Sequence, residues 1–251
     1  MTYCLGMLLD AGLVMIADTR TNAGVDNFSC YQKLRGLPAG PDKQIFVASS
    51  GNLSMSQAVI GLLEEGLPAS EDSDVPRTID AAKSMFRVAQ LIGEAVQAAS
   101  RTVGDALSEI NLNGSLSLLV GGRVGNSPPR LFLIYPAGNF IECQRESPFF
   151  QIGETKYGRP ILDRAVTLDM PLGEAVKIGF LSFDSAMRSN LGVARPLDMM
   201  VMPHDPADPV LTRRIERDDP YFNELSASWS RLLREATKAI PPPPFMPVPA
   251  P

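Results

Sequence analysis

The chain has 251 residues, 45% apolar and 20% charged, with a formal net charge of −5 and a single histidine. That length and apolar content suffice for a substantial core and exclude intrinsic disorder, while the acidic balance excludes a phosphate-attracting surface and so nucleic acid as a partner class. One histidine excludes zinc sites of the HExxH type and multi-histidine clusters; no metal and no cofactor are expected. It also leaves only His204, in the proline-flanked loop Met202-Pro203-His204-Asp205-Pro206, for any histidine-based mechanism.

Tyr3–Leu9 reads as a strand, Asp10-Ala11-Gly12 as a hairpin turn and Leu13–Asp18 as the returning strand. Both strands are apolar at nearly every position, so both of their faces need covering. The polar stretch Thr19–Asn27 leads to a strand around Cys30–Leu34, a turn at Pro38–Asp42 and a buried strand at Gln44–Ala48. Leu53–Gly66 has a helical pattern ending at glycine. After a polar linker, Leu67–Arg77, Thr78 is expected to cap a long helix reaching about Leu107, with Asp80 in its first turn. The stripe Ala82, Met85, Phe86, Ala89, Ile92, Val96, Ala99 and Val103 has the spacing of a core-facing helix.

Short β-rich runs follow at Ser115–Gly121, Leu131–Tyr135, Phe140–Gln144 and Phe149–Ile152, with Gly121-Gly122 among the separating turns. Two helices are expected near Gly158–Val166 and Leu172–Ser189, then a last core strand at Asp198–Met202. Asp205–Asp219 reads as a solvated arm of acidic and basic residues, and Glu224–Thr237 as a terminal helix. The final eleven residues contain seven prolines and read as a polyproline-II tail.

Strands in runs rather than alternating with helices imply an α+β protein with mostly antiparallel sheets. Strands buried on both faces then call for a four-layer α-β-β-α sandwich. No run approaches the ~18 apolar residues of a membrane helix. The apolar opening lacks the preceding Lys or Arg of a signal peptide and is interrupted by Asp10, so structure is expected to begin near Thr2. The odd, widely spaced Cys4, Cys30 and Cys143 read as three buried thiols in a cytoplasmic protein.

Chemistry without histidine needs another base. Removal of Met1 by methionine aminopeptidase would expose Thr2, which carries nucleophile and base on one residue: its hydroxyl attacks and its own α-amine takes the proton. The first hairpin is expected to set Asp18 beside Thr2. Lys33, in the next predicted strand, would lower the hydroxyl and amine pKa values by its charge, with Asp18 fixing its position. Ser49-Ser50-Gly51-Asn52 ends a strand and opens a helix; amides there suit an oxyanion hole, and Gly51 permits close approach.

Thr2, the run Asp18-Thr19-Arg20-Thr21 and the downstream Lys33 together resemble the proteasome β-subunit and HslV class of N-terminal threonine hydrolases. The opening TYCLGMLLDAGLVMIADTRTNAG is most similar to the bacterial, proteasome-related Anbu subgroup. The resemblance implies the N-terminal nucleophile hydrolase fold, with Thr2 as nucleophile, Asp18 and Lys33 as its charge pair and Gly51 as oxyanion donor. Arg20 and Thr21 would line the substrate cleft, with Ser49 and Ser50 at the mouth of the specificity pocket. Ile152-Gly153-Glu154-Thr155 stands where active proteasome subunits carry Gly-Ser-Gly, and Arg188–Val193 where they carry Arg-Asp-x-x-Ser-Gly. Glu154 and Ser189 thereby occupy the supporting positions.

The implied organisation is a hydrolase domain over 2–203, an extension over 204–240 that reaches another subunit, and a flexible tail over 241–251. The implied partners are further copies of the chain, in a ring or spiral, and a peptide or protein substrate; an ATP-dependent partner stays open. Three readings follow: a self-compartmentalising peptidase, a structural ring or spiral subunit with a vestigial site, and a small-molecule or isopeptide amidase using the same nucleophile.

Overall fold

The computed structural model describes residues 2–22, 28–69, 75–109 and 112–245. Contacts divide the chain into two units, Met1–Arg217 and Asp218–Pro251.

In the first unit, Tyr3–Leu9 (β1) and Gly12–Asp18 (β2) form the expected hairpin, and every residue of β2 is buried. Short strands follow at Arg20–Asn22 (β3), Phe28–Cys30 (β4) and Leu34–Gly36 (β5), then the longer Lys43–Gly51 (β6). Leu53–Glu65 (α1) starts at Asn52, whose side chain accepts the Ser54 and Met55 amides, and stops at Gly66. Met85–Ala99 (α2) continues through a π-helical segment, Ser100–Gly104, into Asp105–Glu109 (α3). The second block has strands Leu116–Val124 (β7), Arg130–Ile134 (β8), Phe140–Glu142 (β9) and Phe149–Gly153 (β10). Helices Arg159–Ala165 (α4) and Leu172–Ser189 (α5) precede strands Leu197–Pro203 (β11) and Leu211–Ile215 (β12).

Two five-stranded antiparallel sheets result, in the orders β10-β1-β2-β11-β12 and β5-β6-β7-β8-β9. Between them lies one core, built from Cys4, Leu13 and Met15 of the first sheet and Ala48, Leu119 and Leu131 of the second. The outer face of the second sheet packs on α1 and α2 through Val59, Val88, Ile92 and Phe132. The outer face of the first packs on α5, where Tyr3 stacks on Phe183 with ring centroids 4.3 Å apart. Period-two alternation explains why β1 and β2 read as continuously apolar: odd and even positions enter different cores. This is the four-layer α-β-β-α sandwich.

Several local expectations are corrected. The strand around Cys30–Leu34 is two strands: Cys30 pairs with Arg20 in a two-stranded sheet, and Leu34 pairs with Ala48 in the second large sheet. Lys33 lies between them. Thr78 caps only a turn, accepting from the Ala81 amide, because Ser84 is the N-cap of α2. Asp80 accepts from the Gly40 amide instead of sitting at a helix start. Phe86 is 46% exposed, so the apolar stripe turns by one position to include Val88 and Ala95.

Gly121-Gly122 is not a turn but the middle of β7. A Cβ at Gly121 would lie 2.7 Å from both Leu13 Cδ2 and Met15 Sδ, so the glycine is where the sheets approach. Asp198–Met202 is not the last strand. β12, within the stretch expected to be an arm, pairs with β11 and edges the first sheet, so the compact unit extends past residue 203. Its alternation is masked by four consecutive exposed positions, 211–214.

The second unit contains Pro220–Ala239 (α6), started by Asp219, whose carboxylate accepts the Phe222 amide. Of the tail, 246–251 and with them most of the expected polyproline segment lie outside the described residues. Among the described residues no helix is long and apolar enough to cross a membrane.

Gly121→Val should destabilise the chain by about 1–3 kcal/mol despite valine's strand preference, because the added methyls have no room between the sheets. A lower urea midpoint at unchanged slope is the expected result.

Candidate active site

The register of the first hairpin, Cys4 opposite Ala17, sets Asp18 across from Tyr3 and so one residue from Thr2. Asp18 is fully buried and its carboxylate is saturated. Oδ1 accepts the Tyr3 amide at 2.9 Å and Lys33 Nζ at 2.8 Å, and Oδ2 accepts the Arg20 amide at 3.1 Å. Lys33, 7% exposed, also donates to the Arg20 carbonyl at 2.5 Å. Burial pushes the Asp18 carboxyl above its usual range, while the Lys33 charge and the hydrogen bonds from Lys33, Tyr3 and Arg20 pull it back. The backbone of the segment carrying Lys33 is pinned on both sides: the Tyr31 amide donates to the Thr19 carbonyl, and the Ser49 amide to the Lys33 carbonyl.

Thr2 is half-buried, and its carbonyl accepts the Glu154 amide at 2.7 Å. Gly153 lies against it with φ +82°; a side chain there would strike the Thr2 carbonyl and approach Ser50 Oγ. Only glycine accommodates that conformation and that contact together. Glu154 is itself 4% exposed. Its Oε1 accepts the Lys156 and Tyr157 amides at 2.7 and 3.2 Å, and Oε2 accepts Asn190 Nδ2 at 2.6 Å. Burial opposes the charged form, but these donors and the Lys156 charge outweigh it and hold the carboxyl below its ordinary value.

The contact to Glu154 thus comes from Asn190, one residue beyond Ser189, which ends α5. The helix end at Ser189 is as expected, but placing the supporting group on Ser189 misses its neighbour Asn190. A second group invisible in the sequence lies under Tyr3. Its hydroxyl is 2.6 Å from Ser182 Oγ, accepts Gln151 Nε2 at 2.7 Å, and Ser182 Oγ donates to the Gly158 carbonyl at 3.0 Å. Only sheet and helix packing unites residues so far apart along the chain.

Ser49, Ser50 and Gly51 close β6 beside Lys33. Ser49 borders a small recess of about 50 Å³ with Tyr31, Lys33, Val47, Ser56 and Ile60. Amides alternate in direction along an antiparallel strand. Because the Ser49 amide points to Lys33 and the Asn52 amide to Ser115, the Gly51 amide points to the Lys33 side. Gly51 has φ +129°, and a Cβ would collide with the Ser115 carbonyl. Arg20 and Thr21 lie in β3, opposite Cys30 and Ser29.

His204 is not part of this site. Its amide donates to Ala11 in the hairpin turn, and the seven residues of β1 separate that turn from Thr2, on the order of 20 Å at strand rise. Among the described residues no group of three or more potential ligands could hold a metal ion. Cys4 and Cys143 are buried as expected, but Cys30, in the two-stranded β3–β4 sheet, is exposed.

Glu154→Gln should weaken the fold near neutral pH, since a carboxamide has one acceptor end and must set its NH2 against either Asn190 Nδ2 or the Lys156 and Tyr157 amides. The folded carboxyl pKa lies below the ordinary value of about 4.3, so the stabilisation is present above that value and lost as pH falls through the folded pKa. The stability gap between wild type and variant, from urea unfolding, should shrink as pH drops from about 6 to about 3. A constant gap would contradict the assignment.

Comparison with protein-family models and with curated proteins yields no match. Solved structures do match over nearly the whole chain. Anbu from Hyphomicrobium sp. strain MC1 is 44% identical, with a TM-score of 0.84 and coverage of 96% of this chain and 98% of that one. Anbu (ancestral β-subunit) from Yersinia bercovieri is 35% identical, with a TM-score of 0.84 and coverage of 97% and 100%. The helical assembly of the Anbu complex from Pseudomonas aeruginosa is 37% identical, with a TM-score of 0.87 and coverage of 97% and 98%. With identity of this level spanning both sheets and the residues around Thr2, the chain belongs to the Anbu family of proteasome-like proteins.

Proposed function

We propose that the chain is an N-terminal threonine hydrolase acting on peptide bonds in a self-assembled oligomer. The observation that carries this reading is the buried Asp18–Lys33 pair, locked onto the Tyr3 amide one residue from Thr2. A buried ion pair is a poor way to gain stability, and apolar residues of similar size commonly do as well. Its position beside a residue with nucleophile and base chemistry favours a catalytic purpose.

In this reading Met1, which lies outside the described residues, is removed. Thr2 Oγ then attacks the substrate carbonyl carbon while its hydrogen passes to the Thr2 α-amine. The Gly51 amide receives the developing oxyanion. The C–N bond breaks, the leaving amine takes the proton, and water activated by the same α-amine hydrolyses the ester to restore Thr2. The Lys33 ammonium, fixed by Asp18, favours the alkoxide and the neutral amine through its charge. Glu154 and Asn190 hold the Thr2 main chain, and Ser49 borders the recess for the neighbouring substrate side chain. The free thiols suit a reducing cytoplasm.

An epoxyketone or β-lactone warhead should label Thr2. Labelling and turnover should both vanish in Thr2→Ala and when an extra residue is left ahead of Thr2. The acidic limb of kcat/KM should lie at or below the unperturbed α-amine pKa of roughly 7.7–8.0 and survive His204→Gln. Modification elsewhere, or wild-type turnover in Thr2→Ala, would sink the mechanism.

Self-assembly has two supports. A relative from Pseudomonas aeruginosa forms a helical assembly. In this chain α6 buries only Phe222 of its 20 residues and leaves Tyr221, Leu232 and Leu233 about half exposed, an apolar surface in want of cover. Sedimentation should give species well above the 27.1 kDa of one chain, and Leu232→Glu with Leu233→Glu should shift them toward monomer. A monomer at micromolar concentration in the unaltered protein would count against assembly.

A further inference from the structure

Asn113-Gly114 is the only Asn-Gly pair in the chain. It lies between α3 and β7, where the described residues form neither helix nor strand, and Asn113 is exposed. Asn113 Oδ1 accepts the Ser115 amide at 2.8 Å. That bond folds the side chain back over the intervening Gly114 amide and brings Asn113 Cγ toward the Gly114 nitrogen. It also polarises the side-chain carbonyl, as a donor does at a developing oxyanion. The Gly114 amide donates no hydrogen bond among the described residues, so no acceptor holds its nitrogen elsewhere. Glycine at this position supplies the backbone freedom that ring closure needs.

We propose that Asn113 is a site of spontaneous deamidation and isoaspartate formation, and that this modification acts on the corner of the chain that carries Gly51. The Gly114 nitrogen bonds to Asn113 Cγ and gives up its proton. The bond from Cγ to the side-chain nitrogen breaks, ammonia leaves with that proton, and a succinimide ring remains. Water adds to one of the two ring carbonyl carbons and reopens the ring, giving aspartate or isoaspartate. In isoaspartate the main chain runs through Cβ and Cγ, so it is longer by one atom, and the former Asn113 carbonyl is a free carboxylate.

Both changes bear on Asn52. Its side-chain amide donates to the Asn113 carbonyl at 3.2 Å, its main-chain amide donates to the Ser115 carbonyl at 3.0 Å, and its Oδ1 caps α1. Gly51, the preceding residue, pairs with Leu116, and a Cβ on it would lie 2.1 Å from the same Ser115 carbonyl. Residues 113–115 therefore back the corner between β6 and α1, and a lengthened main chain shifts both acceptors that hold Asn52.

The experiment ages the purified protein in mildly alkaline buffer and maps its peptides by mass spectrometry, with fragmentation that distinguishes isoaspartate. A gain of one mass unit should appear at Asn113 ahead of every other asparagine. Its rate should lie within about tenfold of that in a synthetic peptide spanning 112–116, because nothing has to unfold first. Gly114→Ala should slow it by about tenfold or more, since a side chain restricts ring closure. The added Cβ would lie 3.3 Å from Gly104 Cα, a contact that a small shift relieves. Asn113→Gln, whose ring would be larger, should also slow it and serves if the alanine variant misfolds. A slower folded rate than stated, or a rate indifferent to substitution, overturns the assignment.

Hydrogen exchange reads the effect on the corner. Modified molecules carry an added negative charge and separate by anion exchange. Their Asn52 amide should exchange at least about tenfold faster than in fresh protein. Freshly prepared Asn113→Asp, with the same charge but a normal main chain, should keep the protection. Equal protection in modified and fresh protein overturns the link to Gly51. Turnover, the one measurement that rests on the hydrolase reading, should fall with the isoaspartate fraction and persist in aged Gly114→Ala; undiminished turnover in the isoaspartate form also overturns that link. If fresh protein has no turnover, the hydrolase reading falls, while mass and exchange still decide the modification and its effect.

Discussion

The molecule is organised around a charge pair that it cannot easily do without. Asp18 and Lys33 are both taken out of water, and each is satisfied by main-chain groups as well as by the other. Losing one partner strands the other, a cost of about 3–5 kcal/mol for a fully buried pair. That is a large share of the 5–15 kcal/mol that typically holds a domain together. The pair also joins three elements with no sequence contiguity: the start of β1, the end of β2 and the segment entering β5. The geometry around Thr2 therefore follows from the same atoms that stabilise this end of the sandwich.

The other end is closed differently. Arg123, 2% exposed, reaches from β7 across to the carbonyls of Pro203, at 2.5 Å, and His204, at 3.2 Å. Between the ends, Gly6 and Gly121 lack side chains where the sheets come nearest. Packing density leaves no slack there. The two sheets act as a rigid frame with a guanidinium clamp at one end and an ion pair at the other, and the candidate chemistry sits at the ion-pair end.

Much of this was legible from local pattern. Hairpin β1–β2, helix α1 with Asn52 and Gly66 at its ends, and helix α5 follow from turn chemistry and periodicity. Misreadings cluster where tertiary context overrides local signals. Gly121-Gly122 carries a turn composition but serves close sheet approach. Lys33 lies among β-prone residues, yet the chain changes sheets there. β12 shows exposed polar residues because it is an edge, whose outer face needs no apolar cover. At the site, Thr2, Asp18, Lys33 and Gly51 could be selected from residue type and spacing. Asn190 beneath Glu154, and Ser182 and Gln151 around the Tyr3 hydroxyl, could not, because their partners lie far along the chain.

The way residue 2 is held has an evolutionary consequence. Its neighbours grip it by the main chain: the Glu154 amide bonds its carbonyl, Gly153 packs on the same carbonyl, and Asp18 takes the amide of the next residue. These contacts are indifferent to the side chain at position 2. The side chain at position 2 and the architecture around it thus depend on different atoms of one residue. A lineage can exchange the side chain at position 2 and inherit the scaffold intact, or restore the threonine by the reverse step without refashioning the fold.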